Sequence, residues 1–336
     1  MGIKSLLKFI SEKPELIKKV NNNNYKNKKI AIDISILIYR IIISVRNSGA
    51  DFTNQKGEIT SHILGLFNKT IELLNKGIIP VYVFDGKPPI IKAKTLENRK
   101  QIKMKAFEKL EEALNSKLPV SDEDKIKYFK RCVTITKEQW DQCRELLELM
   151  GVPYINAPEE ADSQCAYLAK NGFVDAVLTE DMDILTFGSP KIVRNLTSHK
   201  IETTEIDLQE LLNELKLNQE QFIEFCILLG SDYTPGIIDL KPINIYNYYI
   251  QHKNIEETLV SMEKDKIKIP FDFNYKETKH YFINPNILEV NEEELKIRKP
   301  DKNKLMKKLV NDYGLIKFLI KSKLEKLEAL FNNNNI

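Results

Sequence analysis

Three short apolar runs, each ending in an aspartate, constrain the fold of this chain more than any other feature. They occupy residues 29–33, 81–85 and 176–181, and they end at Asp33, Asp85 and Asp181. Short, nearly continuous apolar runs are typical of buried strands in a parallel sheet. A single aspartate at a strand end is usually a helix cap or a turn residue. Because ligands of open α/β sheets bind beyond the carboxyl ends of the strands, we expect the three acids to meet in one crevice.

Helical patterns separate these runs. Apolar residues recur at helical spacing over residues 61–75 and again over residues 138–150. Strands that alternate with helices predict an α/β fold with a doubly wound, mostly parallel sheet. Beyond Asp232 the pattern is helical and polar, and it ends in one helix-like stretch over residues 304–331.

A basic segment interrupts the predicted sheet. Residues 92–131 contain 12 Lys and Arg against 7 Asp and Glu, a net charge of +5, so the rest of the chain carries about −2 within a total of +3. The segment resembles an insertion above the carboxyl ends, with helices on either side of a break at Pro119. A basic segment attached to an acidic body suits a protein in which the basic segment binds phosphate and the acidic body binds metal ions. For the charge run alone, a solvated helix is the simpler interpretation.

Further acids extend the three at the strand ends. Glu160 and Asp162 follow a proline, Asp183 forms an Asp-x-Asp pair with Asp181, and Asp232 follows Gly-Ser after an apolar run. Seven carboxylates in one place would repel one another without cations, and their oxygens suit Mg²⁺ or Mn²⁺. Two such ions about 4 Å apart catalyse phosphodiester hydrolysis. The four cysteines lack Cys-x-x-Cys spacing, which argues against zinc, and no phosphate-binding Gly-x-x-x-x-Gly-Lys loop is present.

Several motifs together resemble the flap endonucleases, the structure-specific 5′ nucleases related to the xeroderma pigmentosum group G nuclease. They are Met-Gly-Ile-Lys-Ser-Leu at 1–6, Ile-Asp at 32–33, Val-Tyr-Val-Phe-Asp-Gly-Lys-Pro-Pro at 81–89, Glu-Ala-Asp at 160–162, residues 179–190 and Cys-Ile-Leu-Leu-Gly-Ser-Asp-Tyr at 226–233. Their order and spacing match to about residue 321. The resemblance implies a PIN-like 5′ nuclease core in residues 1–91 and 136–230. It also implies a helical arch in 92–135, a degenerate helix–hairpin–helix in 231–260 and a C-terminal helical extension and tail in 261–336.

The same resemblance implies an activity and a set of site residues. The activity is cleavage near the base of a 5′ flap, with 5′ exonuclease activity, in DNA replication and repair. Two Mg²⁺, replaceable by Mn²⁺, would be held by the acids Asp33, Asp85, Glu160, Asp162, Asp181, Asp183 and Asp232. Lys92 and Arg99 would act on the scissile phosphate, and Tyr39 would stack on the adjacent base. DNA contacts are implied for Gly2, Tyr39, Arg46, Lys92, Arg99, Lys130, Arg131, Glu160, Gly230 and Asp232.

The chain departs from the family pattern in three places. Asp162 stands where most members have Glu, which shortens one ligand by a methylene, and the neighbouring Glu159 is expected to face solvent. In the hairpin, Asp239 and Lys241 replace glycines, and residues 243–244 replace basic residues, so we expect weaker binding of the downstream duplex. Residues 323–336 contain no clamp-binding box, so the sequence gives no support for sliding-clamp binding.

Other functions stay open at this stage. A mainly 5′-to-3′ exonuclease or a junction nuclease of the same superfamily would suit Asp162 and the altered hairpin. A catalytically inactive scaffold that binds branched DNA is disfavoured because all seven acids are present, and an RNA-processing nuclease is not excluded. We expect a monomer without membrane association, located in the nucleus or, for a viral gene, at a cytoplasmic replication site.

Overall fold

The fold is built on a mostly parallel β-sheet, as predicted. The computed structural model describes residues 2–47, 49–54, 57–115, 121–196, 198 and 201–332. Within them, seven strands lie in the spatial order β1–β7–β6–β5–β2–β3–β4. Neighbouring strands from β6 to β4 are parallel, whereas β7 is antiparallel to both β6 and β1. The strands are β1 Lys18–Lys19, β2 Lys29–Asp33, β3 Ile79–Phe84, β4 Tyr154–Asn156, β5 Ala176–Leu178, β6 Lys191–Arg194 and β7 Thr204–Asp207.

The strand order reverses at β2, and this reversal positions the site. From β2 the chain continues to β3 and β4 on one side, and it later adds β5 and β6 on the other. Ile32 pairs with Tyr82 of β3 and with Leu178 of β5, so the carboxyl ends of all three strands lie side by side. Such a switch point leaves a crevice between the loops that leave the strands in opposite directions.

Helices cover both faces of the sheet. They are α1 Leu6–Ser11, α2 Ile34–Arg46, α3 Ser61–Asn75, α4 Ala93–Asn115, α5 Asp122–Arg131, α6 Lys137–Met150, α7 Ala161–Lys170, α8 Asp183–Thr186, α9 Leu208–Leu215, α10 Gln219–Leu229, α11 Pro242–His252, α12 Ile255–Lys264, α13 Tyr275–Ile283, α14 Lys302–Met306 and α15 Lys317–Asn332. Shorter turns of 3₁₀ helix lie at Pro14–Leu16, Asn22–Tyr25, Ile90–Lys92 and Glu292–Leu295, and a π-helix spans Lys307–Asp312. No helix among the described residues is long and apolar enough to cross a membrane.

Alternating side chains of the strands feed two hydrophobic cores. Val81 and Val83 point into one core, which also takes side chains from α1, α7, α10 and α13. Tyr82 and Phe84 point into the other, with α2, α3, α6 and α15. Period-two alternation on a sheet that is buried on both faces explains why these strands appear as continuous apolar runs.

Outside the basic segment, two of the three helices predicted from the sequence agree with the structure, and the third does not. The pattern over residues 61–75 forms α3, and the pattern over 138–150 forms α6, which starts one residue earlier because Thr136 and Gln139 form a capping box. The single helix expected over residues 304–331 is wrong. It is interrupted between the π-helix and α15, where Gly314 takes a left-handed φ of 62°.

The described residues of the basic insertion form α4 and α5, and the predicted break at Pro119 lies outside the described residues. Arg46 at the end of α2 anchors α5. Its guanidinium pairs with Asp51, donates to the carbonyl oxygen of Phe129 at 2.8 Å and lies 4.2 Å from the centre of that ring. The C-terminal end of α5 is therefore fixed to the core through Arg46.

Candidate active site

Six of the seven predicted acids line one cavity at the carboxyl ends of β2, β3 and β5. Its volume is about 610 Å³. The acids in its wall are Asp33, Asp85, Glu160, Asp162, Asp181 and Asp232. Asp183 does not line the cavity and is buried at 2% exposure. Lys92, Arg99 and Tyr39 share the wall with the acids, so the cavity combines carboxylates, cations and an aromatic ring.

Local backbone contacts hold the strand-end acids. Asp33 caps α2, because its Oδ1 accepts hydrogen bonds from the amides of Ser35 at 2.7 Å and Ile36 at 3.2 Å. Asp85 accepts from the Ser35 hydroxyl at 2.5 Å and from the Ala161 amide at 2.9 Å. The second contact ties the end of β3 to the first residue of α7. Glu160 and Asp162, on either side of Ala161, are thereby brought next to Asp85.

The Asp181–Asp183 turn lies against the N-terminus. Asp181 Oδ1 accepts from the Asp183 amide at 3.1 Å. Gly2 has a φ of 78°, and a Cβ at this position would lie 1.7 Å from that same oxygen. The Lys4 amide donates to the carbonyl oxygen of Gly230 at 2.8 Å, which joins the N-terminal segment to the loop that carries Asp232. Gly2 and Gly230 therefore serve close backbone packing around the acids.

Two cations from the basic segment neutralise part of the cluster. Lys92 is buried and donates to Glu160 Oε1, and its Nζ lies 3.5 Å from Asp232 Oδ2. Arg99 donates to Asp232 Oδ2 at 2.6 Å. The Thr95 hydroxyl, between them in sequence, donates to the Asp232 carbonyl oxygen at 2.6 Å. The base of α4 is therefore joined to the acids by charge and by hydrogen bonds.

Burial and mutual repulsion disfavour the charged forms of these acids. Burial, followed by neighbouring carboxylates, raises the pKa values of Asp33, Asp162 and Asp183 well above their usual range. The pKa of Lys92 is also raised, because the attraction of Glu160 and Asp232 outweighs the opposing effect of burial. Seven acids against two cations leave an excess of negative charge that a divalent cation would relieve.

Two carboxylate oxygens give a direct test of whether a metal ion suits this cluster. Oδ1 of Asp162 and Oδ1 of Asp183 are buried and have no hydrogen-bond partner among the described residues. Buried acceptors are normally satisfied, and these are the hard donors that Mg²⁺ prefers. Among the described residues, no three Asp, Glu, His or Cys side chains are arranged so that they could hold a metal ion together. Lys92, Arg99 and the Ser35 hydroxyl instead hold three of the carboxylates.

The other predicted DNA-contact residues differ in accessibility. Tyr39 is 38% exposed on the cavity wall, and Arg131 is exposed at the end of α5. Lys130 donates to the Asn47 side chain at 2.9 Å. Arg46 is buried, and its guanidinium is used within the protein as described above. A DNA contact by Arg46 would require those bonds to break.

Sequence reasoning missed three contributors to the site. Glu159, expected to face solvent, is partly exposed on the cavity wall, and its carbonyl oxygen accepts a hydrogen bond from the amide of Gly86. Ser35, Tyr233 and Tyr281 all contact the acids but were not predicted. Adjacency to an acid could have pointed to Ser35 and Tyr233. No local signal pointed to Tyr281.

The hairpin after Asp232 keeps the conformation that glycine would favour. Residues 230–241 connect α10 to α11, and Asp239 has a φ of 66°. Asp adopts this region more readily than most residues with a side chain, because its short polar side chain costs little on an exposed loop. Lys241 has an ordinary φ of −70° and precedes α11 as its N-cap, so glycine is not needed there. The segment thus keeps one left-handed residue, Asp239, and that residue adds a negative charge to its exposed surface.

Comparisons with known proteins agree with this geometry. Residues 1–106 match the XPG N-terminal domain, and residues 151–232 match the XPG I-region. Flap endonuclease 1 of Homo sapiens is 40% identical over 331 residues, which cover 97% of this chain and 86% of the human protein. The chain belongs to the flap endonuclease family. Flap endonuclease 1 of Glycine max is also 40% identical, over 100% of this chain and 88% of the plant protein.

Solved structures place this flap endonuclease in the same fold. The flap endonuclease-1 of Methanococcus jannaschii superposes with a TM-score of 0.71 at 32% identity, covering 95% of this chain and 97% of that one. The catalytic core of Rad2 in complex with DNA substrate gives 0.72 at 26% identity, covering 97% and 100%. The protein is a metal-dependent, structure-specific 5′ nuclease that acts on the phosphodiester bonds of branched DNA.

Proposed function

We propose that this flap endonuclease cleaves near the base of a 5′ single-stranded flap, also degrades DNA from 5′ ends, and uses two Mg²⁺ ions. The observation that carries the proposal is the convergence of six acids, Lys92, Arg99 and Tyr39 on one cavity. Mn²⁺ would substitute, since carboxylate oxygens suit both ions.

All seven acids would hold the ions, six from the cavity wall and Asp183 from behind it. The unpartnered oxygens of Asp162 and Asp183 are the clearest candidates for direct or water-mediated ligation. When bound, the ions supply a nucleophilic water at neutral pH and neutralise charge on the leaving oxygen.

The two cations of α4 and its preceding turn would serve the scissile phosphate. Lys92 and Arg99 pair with Glu160 and Asp232, and these two acids would be free to hold the ions if the cations turned to the phosphate. A positive group held beside the phosphate stabilises charge that develops in the transition state. Tyr39, half-exposed on the same wall, would stack on the base next to the cut.

DNA outside the cavity would follow two surfaces. The hairpin at residues 230–241 would contact the backbone of the downstream duplex through its amides, as the retained left-handed turn at Asp239 allows. Lys130 and Arg131 would attract the strand that passes the arch. We further propose that the protein is a monomer and acts in the nucleus. Residues 323–336 contain no clamp-binding box, so they would not bind a sliding clamp in the manner of such a box.

A preference for 5′ ends or junctions over flaps is the second candidate. It is supported by the acidic Asp239 at the tip of an exposed hairpin, which disfavours the phosphates of a long downstream duplex. Matched flap, nicked, single-stranded and RNA-containing substrates, digested in Mg²⁺, separate the two.

The same assay tests the metal site. Asp181→Ala should abolish cleavage while flap binding is kept, and Asp175→Ala is the matched control, because Asp175 pairs with Lys28 at the start of β5, away from the cavity. Near-normal turnover by Asp181→Ala in Mg²⁺ would refute the assignment.

A further inference from the structure

Glu160 is held on both of its carboxylate oxygens, one by a residue of the cavity wall and the other by residues outside that wall. Lys92, a cavity residue, donates to Oε1. Oε2 accepts from the hydroxyl of Tyr233 and, at 3.3 Å, from the hydroxyl of Tyr281. Neither tyrosine lines the cavity. The two phenols therefore hold the far side of the carboxylate.

Tyr281 comes from a distant part of the chain, on α13, but it is firmly placed. It is 8% exposed, and its ring centre lies 5.1 Å from that of Tyr233 and 5.7 Å from that of Phe187. Phe187 directly follows α8, the helix that Asp183 begins. One aromatic cluster thus packs against the segments that bear Glu160, Asp232 and Asp183.

Charge also fixes α13 in place. Lys279, two residues before Tyr281, pairs with the buried Glu224 of α10 at 2.5 Å and with Glu220 at 2.7 Å. Glu224 in turn accepts from the Tyr249 hydroxyl at 2.7 Å. A shift of α13 would separate Lys279 from Glu224 and leave that buried carboxylate without its cation, which is costly.

We propose that Tyr281 is a positioning residue for Glu160, and that with Tyr233 it fixes Oε2 so that Oε1 is directed at a divalent cation in the cavity. The inference rests on the proposed function, since it assigns Glu160 to the metal site. It makes α13 part of the active site. Outer partners that orient a ligating carboxylate typically change metal affinity or activity by about 10–100-fold when removed.

The test compares Tyr281→Phe with the wild-type protein. This change removes one hydroxyl and keeps the ring contacts. Tyr246→Phe is the matched control, because the Tyr246 hydroxyl donates to the Leu215 carbonyl oxygen at 2.9 Å and is remote from the acids. Two quantities are measured: the Mg²⁺ concentration for half-maximal single-turnover cleavage of a 5′ flap, and the Ca²⁺ concentration for half of the cation-induced rise in Tm without DNA.

We expect Tyr281→Phe to need about tenfold more Mg²⁺ and about tenfold more Ca²⁺, the lower end of the range for such partners because its bond is long. Tyr246→Phe should match the wild type. In a Glu160→Ala background the Tyr281 change should add nothing to the Ca²⁺ requirement, because a residue that acts through Glu160 has no effect without it.

The outcomes separate the two proposals. If Tyr281→Phe lowers Tm without cation but leaves both half-saturating concentrations equal to the control, Tyr281 only packs, and the inference is overturned. The same holds if its effect persists in the Glu160→Ala background. If the wild-type protein fails to cleave the flap, the proposed function fails, while the Ca²⁺ measurement still decides the role of Tyr281.

Discussion

The N-terminal Gly2 packs so closely on Asp181 that a Cβ at position 2 would lie 1.7 Å from the carboxylate oxygen. Its φ of 78° adds a second reason for glycine. Substitution must therefore displace either the N-terminal segment or the acid. This contact connects the start of the chain to the turn that carries two of the proposed metal ligands.

Gly2→Ala should reduce single-turnover cleavage by about a hundredfold, because a shift of about 1 Å in a reacting group has an effect of that order. Gly172→Ala is the matched control: its φ is 74°, but nothing lies within 4 Å of the added Cβ. Both variants carry the same backbone strain, so equal losses of activity would show that the contact with Asp181 is unimportant.

Cation-dependent stability should increase with pH. The folded-state pKa values of Asp33, Asp162 and Asp183 are raised, chiefly by burial, above the unfolded value of about 3.9. Above that value the folded protein binds more protons than the unfolded one, so these acids lower the free energy of unfolding as pH rises. A divalent cation removes that cost, so the rise in Tm that Ca²⁺ causes should be larger at about pH 7.5 than at about pH 5.5.

The control for this effect is Asp183→Asn, which removes one buried charge. Its Ca²⁺-free Tm should fall less with rising pH than that of the wild-type protein. A cation-induced increment that is the same at both pH values would contradict the link between burial of these acids and metal binding.

Lys92→Ala should separate catalysis from metal binding. Cleavage should fall by about a hundredfold, the effect of losing one group that stabilises transition-state charge. Metal binding should not weaken, because Lys92 competes with the cation for Glu160. Single-turnover rates, flap-binding affinity and the Ca²⁺ concentration for half-saturation are measured together, and the same comparison applies to Arg99→Ala.

Lys103→Ala and Lys105→Ala, farther along α4, should chiefly lower the affinity for flap DNA and reduce the salt dependence of that affinity.

A different result would change the role of Lys92. Equal losses in rate and in flap affinity would make it a phosphate-binding charge without a part in the transition state. Weaker Ca²⁺ binding would mean that Lys92 organises the acids instead of competing for one of them.

Asp239→Gly should tighten binding of a flap substrate with a long downstream duplex. The change suits the positive φ and removes a negative charge. The repulsion between two unit charges about 6 Å apart in water corresponds to about a threefold change in binding affinity. Substrates with a truncated downstream duplex should show no gain, and K⁺ should stimulate the variant more than Na⁺ if the hairpin amides contact phosphate. A strong, K⁺-specific preference for the long duplex in the wild-type protein would show that Asp239 does not impair the hairpin.

Arg46→Ala should destabilise the protein by about 3 kcal/mol, because it leaves Asp51 buried without its partner. Urea unfolding measures the change. Asp51→Asn with Arg46→Ala should recover part of the loss, as an uncharged partner is cheaper to bury. Unchanged stability with weakened DNA binding would instead show that Arg46 leaves Asp51 to contact DNA.

Much of the fold and the acids of the site could be predicted because their signals are local. Strand runs that end at Asp33 and Asp85 follow from side-chain alternation and from the rule for parallel sheets, and α3 follows from its periodicity. The resemblance to flap endonucleases rested on motifs of the same local kind. The break before α15 was missed because the apolar spacing continues across Gly314, whose left-handed φ ends the helix.

Contacts between distant segments were decided by tertiary packing alone. The Arg46 guanidinium could have faced DNA, but Asp51 and Phe129 enclose it. Tyr281 reaches Glu160 across 121 residues of sequence. A residue's own neighbours in sequence set its helix or strand and the face it occupies. Which group it meets across the core depends on how whole elements pack, and side chains far apart in the chain carry no local trace of that meeting.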